Sequence, residues 1–91
     1  MPNLSRTVEI RNKLGLHARA ATKLARLANE FAAKVTITQD GKEVDASSVM
    51  GLMLLASHKG KSIEIKAVGD DAEAALAAIT QLVQDRFHED D

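Results

Sequence analysis

Val35-Thr36-Ile37-Thr38-Gln39-Asp40-Gly41-Lys42-Glu43-Val44-Asp45 decides the fold of this chain. Polar and apolar residues alternate over residues 35–38, the period of a strand with one face covered and one face wet. Asp40-Gly41 suits the left-handed backbone of a two-residue hairpin turn, so the short return strand Lys42-Glu43-Val44-Asp45 is expected to run antiparallel beside the first. The same alternation marks residues 7–10 and Ser62-Ile63-Glu64-Ile65-Lys66-Ala67-Val68.

Helical spacing fills the intervals. Over residues 18–31, Ala21, Leu24, Ala25, Leu27, Ala28, Phe31 and Ala32 recur every three or four positions, which predicts one buried stripe with Arg19, Lys23, Arg26 and Glu30 on the other side. A last helix is expected over about residues 71–87, with Leu76, Ile79, Leu82, Val83 and Phe87 as its stripe. Asp70 followed by Glu73 reads as a capping box at its start. Residues 48–56, Ser48-Val49-Met50-Gly51-Leu52-Met53-Leu54-Leu55-Ala56, predict a short helix too apolar to be amphipathic, so part of it must point outward; Leu52 and Leu55 are assigned to the core. The order is βαββαβα, and all three helices need the one apolar sheet face. An α+β fold follows, an open-faced two-layer α/β sandwich with a four-stranded antiparallel sheet. No linker or repeat interrupts residues 1–91, which read as a single domain.

Composition narrows the function. The chain has 91 residues, no Cys and a formal net charge of −1. Disulfides and thiol redox chemistry are excluded, and the charge balance gives no case for a nucleic acid partner or membrane insertion. The aromatic content of 2%, two Phe, argues against a sheet that stacks RNA bases. The first six residues lack the apolar core of a signal peptide, so a cytoplasmic location is expected; the acidic tail Glu89-Asp90-Asp91 reads as a solvated end. Gly60-Lys61-Ser62 is a turn rather than a phosphate-binding loop, since Leu55 stands where that loop needs Gly. His17, His58 and His88 are too far apart to suggest a metal site, and no cofactor is expected.

Gly15-Leu16-His17-Ala18-Arg19 places a histidine where a loop becomes the first turn of a helix. Helix N-termini present unpaired N–H groups and a partial positive charge, so a phosphate on that imidazole would find donors waiting. A nucleophilic imidazole has to be neutral, and the helix terminus and Arg19 place positive charge beside the site a phosphate would occupy. Position alone is equally served by an ordinary helix-capping histidine, and Arg19 by a solvated surface residue. Ser48, just ahead of an apolar run, is expected to be a helix N-cap whether or not it is ever modified.

The stretch Gly15-Leu16-His17-Ala18-Arg19-Ala20-Ala21-Thr22 closely resembles the active-site signature of the HPr family, histidine-containing phosphocarriers of the phosphoenolpyruvate-dependent sugar phosphotransferase system. Residues 48–56 resemble that family's regulatory serine and the helix after it. The resemblance implies that His17 is phosphorylated by Enzyme I on Nδ1 and passes the phosphoryl group to the A component of a sugar permease, with Arg19 steadying the phosphate. It implies a regulatory Ser48 served by a serine kinase/phosphorylase, contact with a transcription regulator, and a monomer that docks partners through Val49, Met50 and Met53; on the residues' own reading, Lys23 and Arg26 join Arg19 in a basic strip on the first helix that suits an acidic partner. Two residues depart from the pattern. Ala20 replaces the commoner Pro that would pre-set the helix start, and Ser47 replaces a usual basic residue before Ser48.

Two alternatives accompany this reading. Asn12-Lys13-Leu14 and Leu52-Met53-Leu54-Leu55 look at least as much like the nitrogen-related branch of the same system, where the histidine chemistry serves regulation. A pure interaction or corepressor module would use the same face without carrying phosphate on His17.

Overall fold

The computed structural model describes residues 3–55 and 57–88; Met1, Pro2, Ala56 and the acidic tail Glu89-Asp90-Asp91 lie outside the described residues. Strand β1 (Asn3–Glu9) is followed by helix α1 (Ala18–Ala28), strands β2 (Lys34–Gln39) and β3 (Lys42–Asp45), helix α2 (Val49–Leu54), strand β4 (Ser62–Val68) and helix α3 (Ala72–Gln84). A short turn, Arg86–His88, closes the described chain. The expected βαββαβα order and antiparallel four-stranded sheet are present, with the strands arranged β1-β4-β2-β3.

The hairpin forms as its turn residues dictate. Gln39 pairs with Lys42, and both Asp40 (φ 51°) and Gly41 (φ 84°) take left-handed conformations. Strand β1 begins earlier than the sequence pattern suggests. Its register against β4 runs from Asn3↔Val68 to Glu9↔Ser62, so the length of β4 sets the length of β1. Ile10 falls just beyond the strand, yet its N–H still donates to the Lys61 carbonyl at 2.8 Å.

The core lies between the apolar sheet face and the helices. Val35, Ile37, Ile63 and Ile65 from the sheet meet Leu24 of α1, Leu52 of α2 and Ile79 and Val83 of α3, all buried. Each such side chain contributes about 1.5–3 kcal/mol. The stripe of α1 is mostly alanine, Ala20, Ala21, Ala25 and Ala28 around Leu24, and small side chains let a helix sit close to its sheet. Helix α2 packs against α1 and β3, with Leu52 and Leu55 buried as expected.

Three expectations are corrected. Helix α1 stops at Ala28, not at residue 31, because the Ala32 and Ala33 amides are drawn off by the Asp71 carboxylate at 2.8 and 2.7 Å. The capping box does not form for the same reason. Asp71, not Asp70, occupies the N-cap of α3, and its side chain makes no cap bond because it clips the α1–β2 connection instead. Helix α3 ends at Gln84; Phe87 reaches the core through a left-handed turn in which Arg86, Phe87 and His88 have φ of 57°, 55° and 64°. The Lys23 ammonium donates to the Phe87 carbonyl at 2.6 Å and holds that turn against α1.

The Asp71 clip predicts that Asp71→Ala lowers stability by about 1–3 kcal/mol in urea unfolding, the cost of removing a charged acceptor from two amides. Asp70→Ala stays within about 0.5 kcal/mol of the parent, as for a surface change that breaks no such contact. Equal losses in both variants would contradict the clip.

Candidate functional site

The site is built outward from the loop over residues 10–17. Gly15 adopts φ +66°, and a Cβ added there would meet the Ser57 carbonyl oxygen at 2.3 Å. Only glycine fits this position. The Asn12 side-chain amide donates to the Gly15 carbonyl at 2.7 Å, and the Gly15 N–H returns a bond to the Asn12 carbonyl at 3.2 Å. Leu16 is buried, and its N–H donates to the Ser57 carbonyl at 2.9 Å. The backbone therefore arrives at His17 held from both sides.

His17 is the N-cap of α1, in an extended conformation with φ −75° and ψ 178°. Its carbonyl accepts from Ala21 N–H at 2.8 Å, which starts the helix. Its ring folds back over the first turn, where Nδ1 accepts from the Arg19 backbone N–H at 3.3 Å. A neutral imidazole in this arrangement carries its proton on Nε2 and directs the Nδ1 lone pair at the helix N-terminus. No acidic residue stands in the first turn of α1 to repel an anion there. The ring is half-buried, so it is reachable while its orientation is constrained.

The cations proposed from sequence have different surroundings. Arg19 and Arg26 are exposed. Lys23 is half-buried, with its ammonium on the Phe87 carbonyl, so it also fastens the C-terminal turn. Lys23 and Arg26 line one shallow groove with Leu27, Leu82 and His88.

Ser48 caps α2 as expected, its Oγ accepting from Gly51 N–H at 3.0 Å. Ser47 donates to Asp45 through both its N–H (2.8 Å) and its hydroxyl (2.7 Å). These two bonds hold the Asp45 carboxyl below the usual carboxylate range, so an anion sits close to the cap of α2 at neutral pH. On α2 itself Val49 is half-buried, while Met50 and Met53 are 71% and 46% exposed. Two further apolar residues, Leu14 (67%) and Leu54 (71%), are exposed, and the sequence pattern singles out neither as a docking residue. Leu14 lies in the His17 loop, which is pressed on the segment leaving α2, and Leu54 closes α2 itself; an exposed Leu has no signature in a one-dimensional pattern.

His58 and His88 are exposed, and among the described residues no three His, Cys, Asp or Glu side chains converge as metal ligands. Among the same residues no helix is long and apolar enough to cross a membrane.

Comparison with known proteins agrees with the geometry. The family model described as "PTS HPr component phosphorylation site" matches residues 4–85. The phosphocarrier protein NPr of Shewanella violacea is 55% identical over 89 residues, 98% of each chain. The phosphocarrier protein HPr of Xylella fastidiosa strain Temecula1 is 41% identical over 87 residues, covering 96% of this chain and 98% of its own. Among solved structures, HPr-C-His from Thermoanaerobacter tengcongensis superposes with a TM-score of 0.90 at 38% identity, covering 99% of both chains. With relatives of both kinds matching nearly end to end around the His17 turn, the chain belongs to the HPr family of phosphocarrier proteins.

Proposed function

We propose that His17 is the phosphoryl acceptor of this phosphocarrier, taking the group from phosphorylated Enzyme I on Nδ1 and handing it to the A component of a permease. The observation that carries this reading is the Nδ1 lone pair directed at the Arg19 N–H on the first turn of α1. The lone pair leaves the Arg19 N–H and forms the N–P bond while the donor's bond to phosphorus breaks and its electrons return to the donor. Backbone donors at the helix N-terminus then take up the phosphate charge. Transfer to the next protein runs the same step in reverse, with the imidazole as leaving group. Arg19, exposed on the same turn, supplies a guanidinium fork matched to phosphate oxygens.

The partner surface combines exposed side chains of α2, the His17 loop and α1. Met50, Met53, Leu54 and Leu14 offer adaptable apolar contact, and Arg26 with Arg19 adds positive charge for an acidic partner. Ser48 is a regulatory phosphorylation site in this reading. A phosphate there would keep the cap of α2 while adding about −2 charge to the docking face, weakening capture by an acidic partner without unfolding the chain. The 55% identity to the NPr relative, against 41% to the HPr relative, supports a second reading, the nitrogen-related branch, in which the same chemistry regulates rather than feeds sugar uptake.

Incubation with phosphoenolpyruvate and Enzyme I is expected to leave an acid-labile, base-stable phosphate on the chain, and His17→Ala to remove it. A wild-type chain that stays unlabelled, or a labelled His17→Ala, would contradict the assignment and support a pure interaction module. Arg19→Ala is expected to slow transfer about ten- to a hundred-fold, the kinetic equivalent of one lost charge-assisted contact. Ser48→Asp is expected to melt at the wild-type temperature yet receive phosphate slowly; an unchanged rate would sink the regulatory role.

A further inference from the structure

Two buried polar side chains outside the helix-capping site form a chain of hydrogen bonds that ends on the residue before His17. Gln39, the last residue of β2, is 7% exposed, and Ser57 is 5% exposed. Groups this deeply buried are costly unless both ends of each are satisfied. The Gln39 amide is engaged at both ends. Its Nε2 donates to the Leu55 carbonyl at 3.0 Å, at the C-cap of α2, and its Oε1 accepts from the Ser57 hydroxyl. The Ser57 carbonyl in turn accepts from Leu16 N–H and abuts Gly15. One path of bonds therefore leads from the sheet, through the exit of α2, to the backbone that presents His17.

We propose that the Gln39–Ser57 pair is a positioning strut that locks the His17 loop to α2, so that the phosphoryl acceptor and the apolar docking patch meet a partner in one fixed relation. This deepens the reading of His17 as acceptor and rests on it. Neither residue touches the reacting atoms; both act through Leu16. Without the Ser57 hydroxyl, Gln39 Oε1 is left buried and unpaired, and the Ser57 backbone has to shift to relieve it. The exposed faces of Met50, Met53 and Leu54 are untouched by that shift, so capture of the partner persists. The alignment of the ring for in-line attack does not, and small misplacements of a reacting group are expensive in rate.

The test is steady-state phosphorylation of the full chain by phosphorylated Enzyme I, alongside hydrogen exchange at the Leu16 amide. Ser57→Ala and Gln39→Met, which remove the bonds at similar size, are expected to lower kcat roughly ten-fold or more while KM stays within about two-fold. Both are expected to speed Leu16 exchange in a chain that remains folded by circular dichroism. Ser57→Thr, which keeps the hydroxyl, is expected to restore kcat. The strut is overturned if both loss variants turn over at the wild-type rate, if KM rises in step with the loss of kcat, or if Ser57→Thr is as slow as Ser57→Ala. A wild-type chain that takes no phosphate overturns instead the assignment of His17 on which the strut depends.

Discussion

The absence of a side chain at position 15 is the constraint on which the rest of the site depends. With the Ser57 carbonyl 2.3 Å from where a Cβ would stand, two backbone segments touch at a distance that no other residue permits. That contact lets Leu16 N–H reach the same carbonyl and buries Leu16, and the next residue, His17, caps α1. Had the two segments stood further apart, the loop would have needed a side chain to fill the gap, and the histidine would have lost its fixed entry into the helix.

What this arrangement achieves is electrostatic preparation at small cost in buried charge. The donors at the start of α1 are backbone groups, already oriented by the helix, and no carboxylate competes for them in the first turn. The cation on that turn, Arg19, remains in water and carries no desolvation penalty. Lys23 shows the other side of this economy: its ammonium is already committed to the Phe87 carbonyl, where it stabilises a strained left-handed turn. Helix α1 thus both anchors the C-terminal turn through Lys23 and presents oriented backbone donors at its own N-terminus.

Features whose cause is local were legible in the chain of letters. Asp40-Gly41 announces its hairpin, the alternation in Ser62–Val68 announces β4, and Ser48 ahead of an apolar run announces its cap. His17 at a helix start could be read in the same way. Features set by partners distant in sequence could not. Asp70 and Glu73 have capping-box spacing, but the adjacent Asp71 carboxylate is claimed by amides 38 and 39 residues away. Gln39 and Ser57 lie 18 residues apart, and nothing about either residue type singles it out as a buried anchor. Phe87 has the right spacing for the stripe of α3, yet it reaches the core by leaving the helix, a left-handed excursion that no periodicity encodes.

Long-range proton–nitrogen correlation spectra of the chain labelled with nitrogen-15 in histidine, before and after phosphorylation, tell which ring nitrogen of His17 carries phosphate. With Nδ1 accepting from the Arg19 N–H, the unmodified ring is expected to carry its proton on Nε2, and phosphorylation to move chiefly the Nδ1 resonance, couple it to phosphorus and shift the Arg19 amide. Phosphorus coupled to Nε2, with Nδ1 and the Arg19 amide unmoved, would contradict this expectation.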